Sequence, residues 1–200
     1  MSSMLVHDTR LAGRVPDDKA DNNYSVDATV AIEHALDWID AYAKTQSGLD
    51  DLCIMCHGYE ADWNLHDQTC TGVEVGGFGL QLCAEGLSLA NVNLTAKLKG
   101  DVRTITIFAC ATAETGQGNE GTAADGMRFC GEIAMHTGAT VIAATQTQFY
   151  TDTQTFWDYI CNRPGPIDFG DWEGPVYSFS PDNGSVTQIN AKVESHTIES

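Results

Sequence analysis

Three runs of strand-forming residues constrain the fold of this 200-residue chain most strongly: DLCIMCH at 51–57, DVRTITIFAC at 101–110 and ATVIAATQ at 139–146. The first and third runs are apolar at successive positions, which is typical of central parallel strands that are buried on both faces. Apolar residues at helical spacing precede the first and third runs, at about 27–46 and 122–137. We therefore predict a three-layer α/β/α sandwich with a mainly parallel central sheet and helices on both faces.

Shorter elements are predicted around these strands. Asp27 is expected to cap the first helix. Alternating residues predict a hairpin that pairs 78–83 with 87–89, and NLTAKLKG predicts a short helix that ends at Gly100. Near the C-terminus, alternation around PDNG at 181–184 predicts a β-hairpin that extends one side of the sheet.

The first 24 residues are polar, with several Asp and Asn, and lack an apolar run flanked by basic residues. We predict that residues 1–24 form a mobile arm and that residues 25–200 form a single domain. No stretch of the sequence is apolar for long enough to span a bilayer. A cytoplasmic location is predicted, with export by a non-cleavable route as the alternative. Seven cysteines, an odd number, indicate free thiols in a reducing compartment.

The net charge of the chain indicates which partners it favours. The chain has 10 Lys and Arg against 28 Asp and Glu, a net charge of −18 that is spread along the sequence. Nucleic acid and anionic membranes would be repelled, so neither is predicted as a partner. A protein or peptide substrate and a regulatory protein partner remain compatible with this charge, and solubility alone also explains it.

The segment CIMCH at 53–57 has the spacing of a covalent haem attachment site and contains a redox or zinc half-motif. In a strand, however, Cys53 and Cys56 point to opposite faces because they are an odd number of residues apart. A single haem or zinc ion could not use both thiols, and no second Cys-x-x-Cys completes a zinc site. We predict buried structural thiols and no metal or other cofactor.

His57 and Cys110 follow the apolar parts of two strands. In an open parallel sheet, the C-terminal ends of the strands line the crevice in which ligands bind. If the two strands are neighbours, His57 and Cys110 lie side by side there, and a thiol next to an imidazole is a nucleophile with its base. Each residue taken singly has an alternative role. His57 could be a strand-end histidine that bonds to a loop, and Cys110 could be a small buried side chain of the core.

Taken together, an apolar strand ending in His-Gly and another ending in Ala-Cys resemble the signature of the caspase-like cysteine peptidases. That clan contains the caspases, legumains, gingipains and separases. The segments IFACATAETG and TGATVIAATQ, with the loop and helix between them, resemble its bacterial CHAT branch in particular. The resemblance covers about residues 50–148.

The resemblance implies a cysteine endopeptidase that cleaves peptide bonds in protein substrates and could cleave itself. Cys110 would be the nucleophile and His57 the general base or acid. The backbone N–H groups of Gly58 and Cys110 would form the oxyanion hole, a role for which glycine also suits the close approach of a substrate. The sequence identifies no third, orienting residue, which fits a dyad.

One departure from the family leaves the specificity open. Several relatives carry an acidic residue two positions before the nucleophile, where it helps to select a basic side chain, and here that position is Phe108. Glu60, Asp62 and Glu114 follow the two strand ends and could form a negative pocket, or they are solvated loop carboxylates. Two alternative functions stay open: an inactive caspase-like binding or scaffold module, and another thiol chemistry such as acyl transfer.

Overall fold

The computed structural model describes residues 2–16, 18–59, 77–148, 154, 156–167 and 172–189. Its strands are β1 (Ser3–Asp8), β2 (Asn22–Val26), β3 (Leu49–Met55), β4 (His57–Gly58), β5 (Leu80–Gln81), β6 (Val102–Phe108), β7 (Thr140–Ala144), β8 (Val176–Phe179) and β9 (Val186–Ile189). Seven of them form one sheet in the order β2-β1-β3-β6-β7-β8-β9. The pairs from β2 to β7 are parallel, and β8 and β9 are added antiparallel.

The helices are α1 (Ile32–Thr45), a 3₁₀ helix (Val92–Leu98), α2 (Gly126–Thr137) and α3 (Phe156–Ile160). The chain is therefore an α/β protein with a mainly parallel sheet. Among the described helices, none is long and apolar enough to cross a membrane.

The pairing of β3 with β6 places two of the predicted apolar strands at the centre of the sheet. Ile54 lies opposite Ile107 and Met55 opposite Phe108, so both strands end at the same edge. Thr and Ile alternate in β6, and the two isoleucines are fully buried on one face. This alternation explains why β6 joins the core on that face.

The two faces of the sheet are covered unequally. One face packs against α1, the 3₁₀ helix and α2 in a large core. The opposite face carries a smaller cluster, to which the loop after β1 contributes Leu11 and Val15 and the segment after α3 contributes Ile167. In the described residues, the apolar contacts of this second layer come mainly from the segments that follow β1 and α3.

The prediction of a mobile arm at 1–24 was wrong, because the N-terminal segment contributes two strands to the sheet. Residues of this segment form β1, which lies between β2 and β3, and Met4 and Val6 in it are fully buried. The predicted boundary at residue 24 also falls inside β2. The sequence concealed these strands because β1 has a short apolar core between polar flanks. In addition, β2 is an edge strand whose outward positions are polar.

The start of α1 also differs from the prediction. The helix begins at Ile32, and its preceding residue makes no side-chain cap. The Ile32 N–H instead donates to Glu85 Oε2 at 2.8 Å. Asp27 accepts from the backbone N–H and hydroxyl of Thr29, so it stabilises the turn before the helix. A residue 53 positions away supplies the cap, and local sequence patterns cannot reveal such a partner.

The hairpin predicted for 78–83 with 87–89 is reduced to one bridge. Leu80 and Leu87 exchange two backbone hydrogen bonds of 2.8 and 2.9 Å. The strand β5 pairs instead with β4, with His57 opposite Gln81 and Gly58 opposite Leu80. This second, two-stranded sheet holds His57 and Gly58 next to the C-terminal ends of the main strands.

A pH dependence of stability is expected from His7 in β1. His7 is buried, its Nε2 lies 2.9 Å from Leu11 O, and burial lowers its pKa. The unfolded chain then takes up a proton at higher pH than the folded protein does, so acidification favours unfolding. We expect the free energy of unfolding to fall as the pH drops below about 6.5. Urea unfolding at several pH values should show this slope, and the slope should be weaker in His7→Gln. Equal slopes would contradict the assignment.

Candidate active site

His57 and Cys110 leave the sheet from neighbouring parallel strands. The last β3 residue pairs with the last β6 residue, and the Cys56 N–H then donates to Phe108 O at 3.3 Å. His57 begins β4 directly afterwards, while Cys110 follows the end of β6 by two positions. The two predicted residues therefore lie at the same edge of the sheet, where parallel strands present their carboxyl ends.

Gly58 packs directly against the backbone of Cys110. A Cβ atom added at residue 58 would lie 1.9 Å from Cys110 O, 2.8 Å from its carbonyl carbon and 2.9 Å from its N. No side chain fits in that space, since all of these neighbours are backbone atoms. The glycine is thus required by the close approach of the two strand ends and not by an unusual φ angle.

The backbone of Gly58 is also oriented by β5. The N–H of the next residue, Tyr59, donates to Gly79 O at 2.9 Å, which closes the pairing of this segment. Successive amides of a strand point in opposite directions, so the Gly58 N–H is directed away from β5. An amide in this position can donate to a ligand that enters beside Cys110.

The imidazole of His57 is held by a main-chain carbonyl. Its Nε2 lies 3.2 Å from Arg10 O, in the loop after β1. A carbonyl oxygen can only accept, so Nε2 carries the proton, and Nδ1 of the neutral ring is the basic nitrogen. The sequence identifies no orienting group for His57, because a backbone carbonyl leaves no mark in the residue types.

The Cys110 thiol is half-buried and faces the chain that follows β7. Its Sγ donates to Gln148 O at 3.6 Å. The Gln148 amide in turn bonds to the backbone N and O of Glu173 and to Gln146 O, at 2.7 to 3.2 Å. Gln148 therefore fixes one wall of the site by joining the chain after β7 to the chain before β8.

The residue after Cys110 has an unfavourable backbone conformation. Ala111 has a φ of 47°, in the left-handed region that residues other than glycine seldom adopt. Its N–H donates to Gln146 O at 2.9 Å, and its carbonyl accepts from Gly77 N at 3.0 Å. Such strain persists only where the surroundings impose it, and it is concentrated at functional sites.

An aromatic pair lies two residues before Cys110. The rings of Phe108 and Trp172 stack with their centroids 4.4 Å apart and their planes 17° apart. Trp172 is the neighbour of Glu173, which Gln148 holds. The position that is acidic in several caspase-like peptidases is therefore part of an apolar aromatic stack in this protein.

The acidic residues proposed for a substrate pocket are only partly described. Glu60 and Asp62 lie outside the described residues. Glu114 lines an open cleft of about 610 Å³ together with Glu120, Asp125 and Arg128, and neither His57 nor Cys110 is among the lining residues. Glu114 thus belongs to the loop that follows Cys110 but lines a different cavity from the His57–Cys110 site.

Burial distinguishes most of the other thiols from Cys110. Cys56 belongs to the large core, whereas Cys53 packs on the opposite face, as their odd spacing predicted. Burial raises the pKa of Cys53, Cys56 and Cys130 well above the usual thiol range and that of Cys83 to about 12. Such thiols are poor nucleophiles at neutral pH. Among the described residues, no three His, Cys, Asp or Glu side chains converge as metal ligands.

Comparisons of the chain with protein-family models, curated proteins and solved structures find no match.

Proposed function

We propose that this protein is a cysteine endopeptidase of caspase-like fold that uses Cys110 as nucleophile and His57 as general base. The observation that carries the proposal is the position of the two strand ends, with Gly58 against the Cys110 backbone and the His57 ring held by the Arg10 carbonyl. The sheet order and the unfavourable φ of Ala111 also support it.

The reaction follows from the roles of these atoms. Nδ1 of His57 takes the proton of the Cys110 thiol, and the thiolate attacks the carbonyl carbon of the scissile peptide bond. The tetrahedral intermediate collapses as His57 returns the proton to the leaving amine, which leaves a thioester on Cys110. Water, deprotonated by His57, then hydrolyses the thioester and regenerates the thiol.

The developing oxyanion requires hydrogen-bond donors near the attacked carbonyl. We assign this role to the backbone N–H groups of Gly58 and Cys110. The direction of the Gly58 amide, away from β5, supports its part in this pair. Main-chain donors are suited to the task because they are already oriented before the reaction begins.

The substrate class is a protein or peptide. The net charge of −18 favours substrates that are basic overall, through long-range attraction. Close to Cys110, however, the stack of Phe108 on Trp172 offers apolar surface and no charge. We therefore expect no strong selection for Lys or Arg directly before the cleaved bond.

A peptide-library cleavage profile tests this function. The wild-type protein should cleave a subset of peptides, and Cys110→Ala, purified in the same way, should cleave none. Cleavage by both proteins would indicate a contaminating protease or another nucleophile. If the folded wild type cleaves nothing and its Cys110 reacts slowly with alkylating reagents, the scaffold alternative is correct.

A further inference from the structure

The loop after β1 is held by an ion pair that does not take part in the proposed chemistry. Asp8 is fully buried, and its carboxylate accepts four hydrogen bonds. The donors are Nε, Nη2 and the backbone N of Arg10, at 2.8, 2.6 and 3.1 Å, and the backbone N of Cys83 at 2.9 Å. This number satisfies the acceptor capacity of a carboxylate.

The same pair joins the loop to the chain after β5. Nη2 of Arg10 also donates to Cys83 O at 2.7 Å, so both backbone polar groups of Cys83 are bound by the Asp8–Arg10 pair. Cys83 has a φ of 61°, a conformation that needs such external support. We call this arrangement of Asp8, Arg10 and Cys83 the ion-pair clamp.

Other contacts fix the main chain of the loop itself. Thr9 N donates to Val26 O at 2.9 Å, and Leu11 N donates to Asp8 O at 2.9 Å. The Leu11 carbonyl accepts from His7. With the amides on both sides of Arg10 bonded, the Arg10 carbonyl has a defined direction, and that carbonyl is the one that accepts from His57.

The clamp therefore reaches His57 by two routes. Through the Arg10 carbonyl it holds Nε2 of the ring. Through Cys83 the clamp also holds the chain directly after β5. The strand β5 pairs with β4, and its residue Gln81 lies opposite His57. Stability alone does not require this arrangement, because a buried ion pair is often no more stabilising than apolar residues of similar volume.

We propose that Asp8 and Arg10 are positioning residues that fix the orientation and tautomer of His57 through the main-chain carbonyl of Arg10. The catalytic consequence rests on the proposed peptidase function, but the effect on the imidazole does not. Replacing the Arg10 side chain should make the direction of the Arg10 carbonyl less defined and weaken its hydrogen bond with Nε2 of His57. The reactivity of Cys110 should then fall.

The experiment compares Arg10→Met and Arg10→Lys with two controls. Arg103→Met removes a surface arginine that pairs with Asp50. Both residues lie near the N-terminal ends of β6 and β3, away from the C-terminal ends that carry the candidate site. Cys130→Ala lowers stability in α2 without touching the clamp. NMR measures the exchange rate of the His57 Nε2 proton with water, assigned with a His57→Gln variant. Alkylation by iodoacetamide measures the reactivity of Cys110.

In folded Arg10→Met, we expect the His57 Nε2 proton to exchange at least about tenfold faster and Cys110 to be alkylated about tenfold more slowly. Arg10→Lys keeps the charge but lacks the bidentate fork, so its values should fall between these and the wild type. Both controls should match the wild type. If Arg10→Met does not fold, the intermediate values in Arg10→Lys carry the test.

The positioning role would be overturned if folded Arg10→Met showed the wild-type rates of proton exchange and alkylation. If Arg10→Met does not fold, wild-type rates in Arg10→Lys would overturn it. This failure is distinguishable from failure of the peptidase function. A His57 ring that depends on Arg10, in a wild-type protein whose Cys110 reacts slowly, supports positioning but not catalysis. Rapid alkylation of Cys110, with a His57 Nε2 exchange rate that does not change when Arg10 is replaced, supports catalysis but not positioning.

Discussion

Cys110→Ala is expected to reduce peptide cleavage by at least about a thousandfold, since alanine has no thiol to form the thioester. The free energy of unfolding should change by less than about 1 kcal/mol because the Cys110 side chain is only half-buried. Initial rates of peptide cleavage and urea unfolding measure the two quantities on the same preparations.

Cys56→Ala is the matched control for this substitution. Cys56 is 1% exposed, so its truncation leaves a small cavity and should lower the free energy of unfolding by about 1 kcal/mol while most activity remains. The two variants should therefore show opposite patterns. Full activity in Cys110→Ala would mean that Cys110 is not the nucleophile. Loss of activity in folded Cys56→Ala would instead point to CIMCH at 53–57 as the site.

Gly58→Ala is expected to have the largest effect on stability. The new Cβ would lie 1.9 Å from Cys110 O, which is a backbone atom and cannot rotate away, so relief requires the two strand ends to separate. We expect the free energy of unfolding to fall by about 3 kcal/mol or more. In the fraction that remains folded, cleavage should drop at least about a hundredfold, because both proposed oxyanion donors are displaced. Urea unfolding and cleavage rates measure these changes.

Gly100→Ala separates steric overlap from backbone strain. Gly100 has a φ of 84°, but an added Cβ there meets no atom within 4 Å. This variant should lose about 1 kcal/mol of stability, from strain alone, and keep its activity. If Gly58→Ala were no more destabilised than Gly100→Ala, the close packing of Gly58 on Cys110 would be contradicted.

The strands of the sheet differ in how well the sequence predicted them. The runs at 51–57 and 139–146 predicted β3 and β7 because successive apolar residues record burial on both faces, and the alternation of Thr and Ile at 101–110 predicted β6. The first strand, β1, was missed because its apolar run is only three residues long. It is buried because it lies between β2 and β3 in the sheet.

The candidate site shows the same contrast. His57, Gly58 and Cys110 could be placed together from sequence, because parallel strands end at one edge. The Arg10 carbonyl and the buried Asp8 that holds its loop could not be found. Their role depends on a main-chain acceptor and on a contact with Cys83 that spans 75 positions of the sequence. Such contacts follow from the fold and are not encoded in any local pattern.

The rate of alkylation of Cys110 by iodoacetamide as a function of pH tests the central claim, a thiol activated by a neighbouring imidazole, most directly. Mass spectrometry identifies the alkylated residue, and an unstructured cysteine peptide provides the reference rate. We predict that Cys110 reacts at least about tenfold faster than the peptide near pH 7 and that His57→Gln removes this advantage in a protein that remains folded. A Cys110 that reacts no faster than the peptide, or equally fast with and without His57, would contradict the proposed dyad.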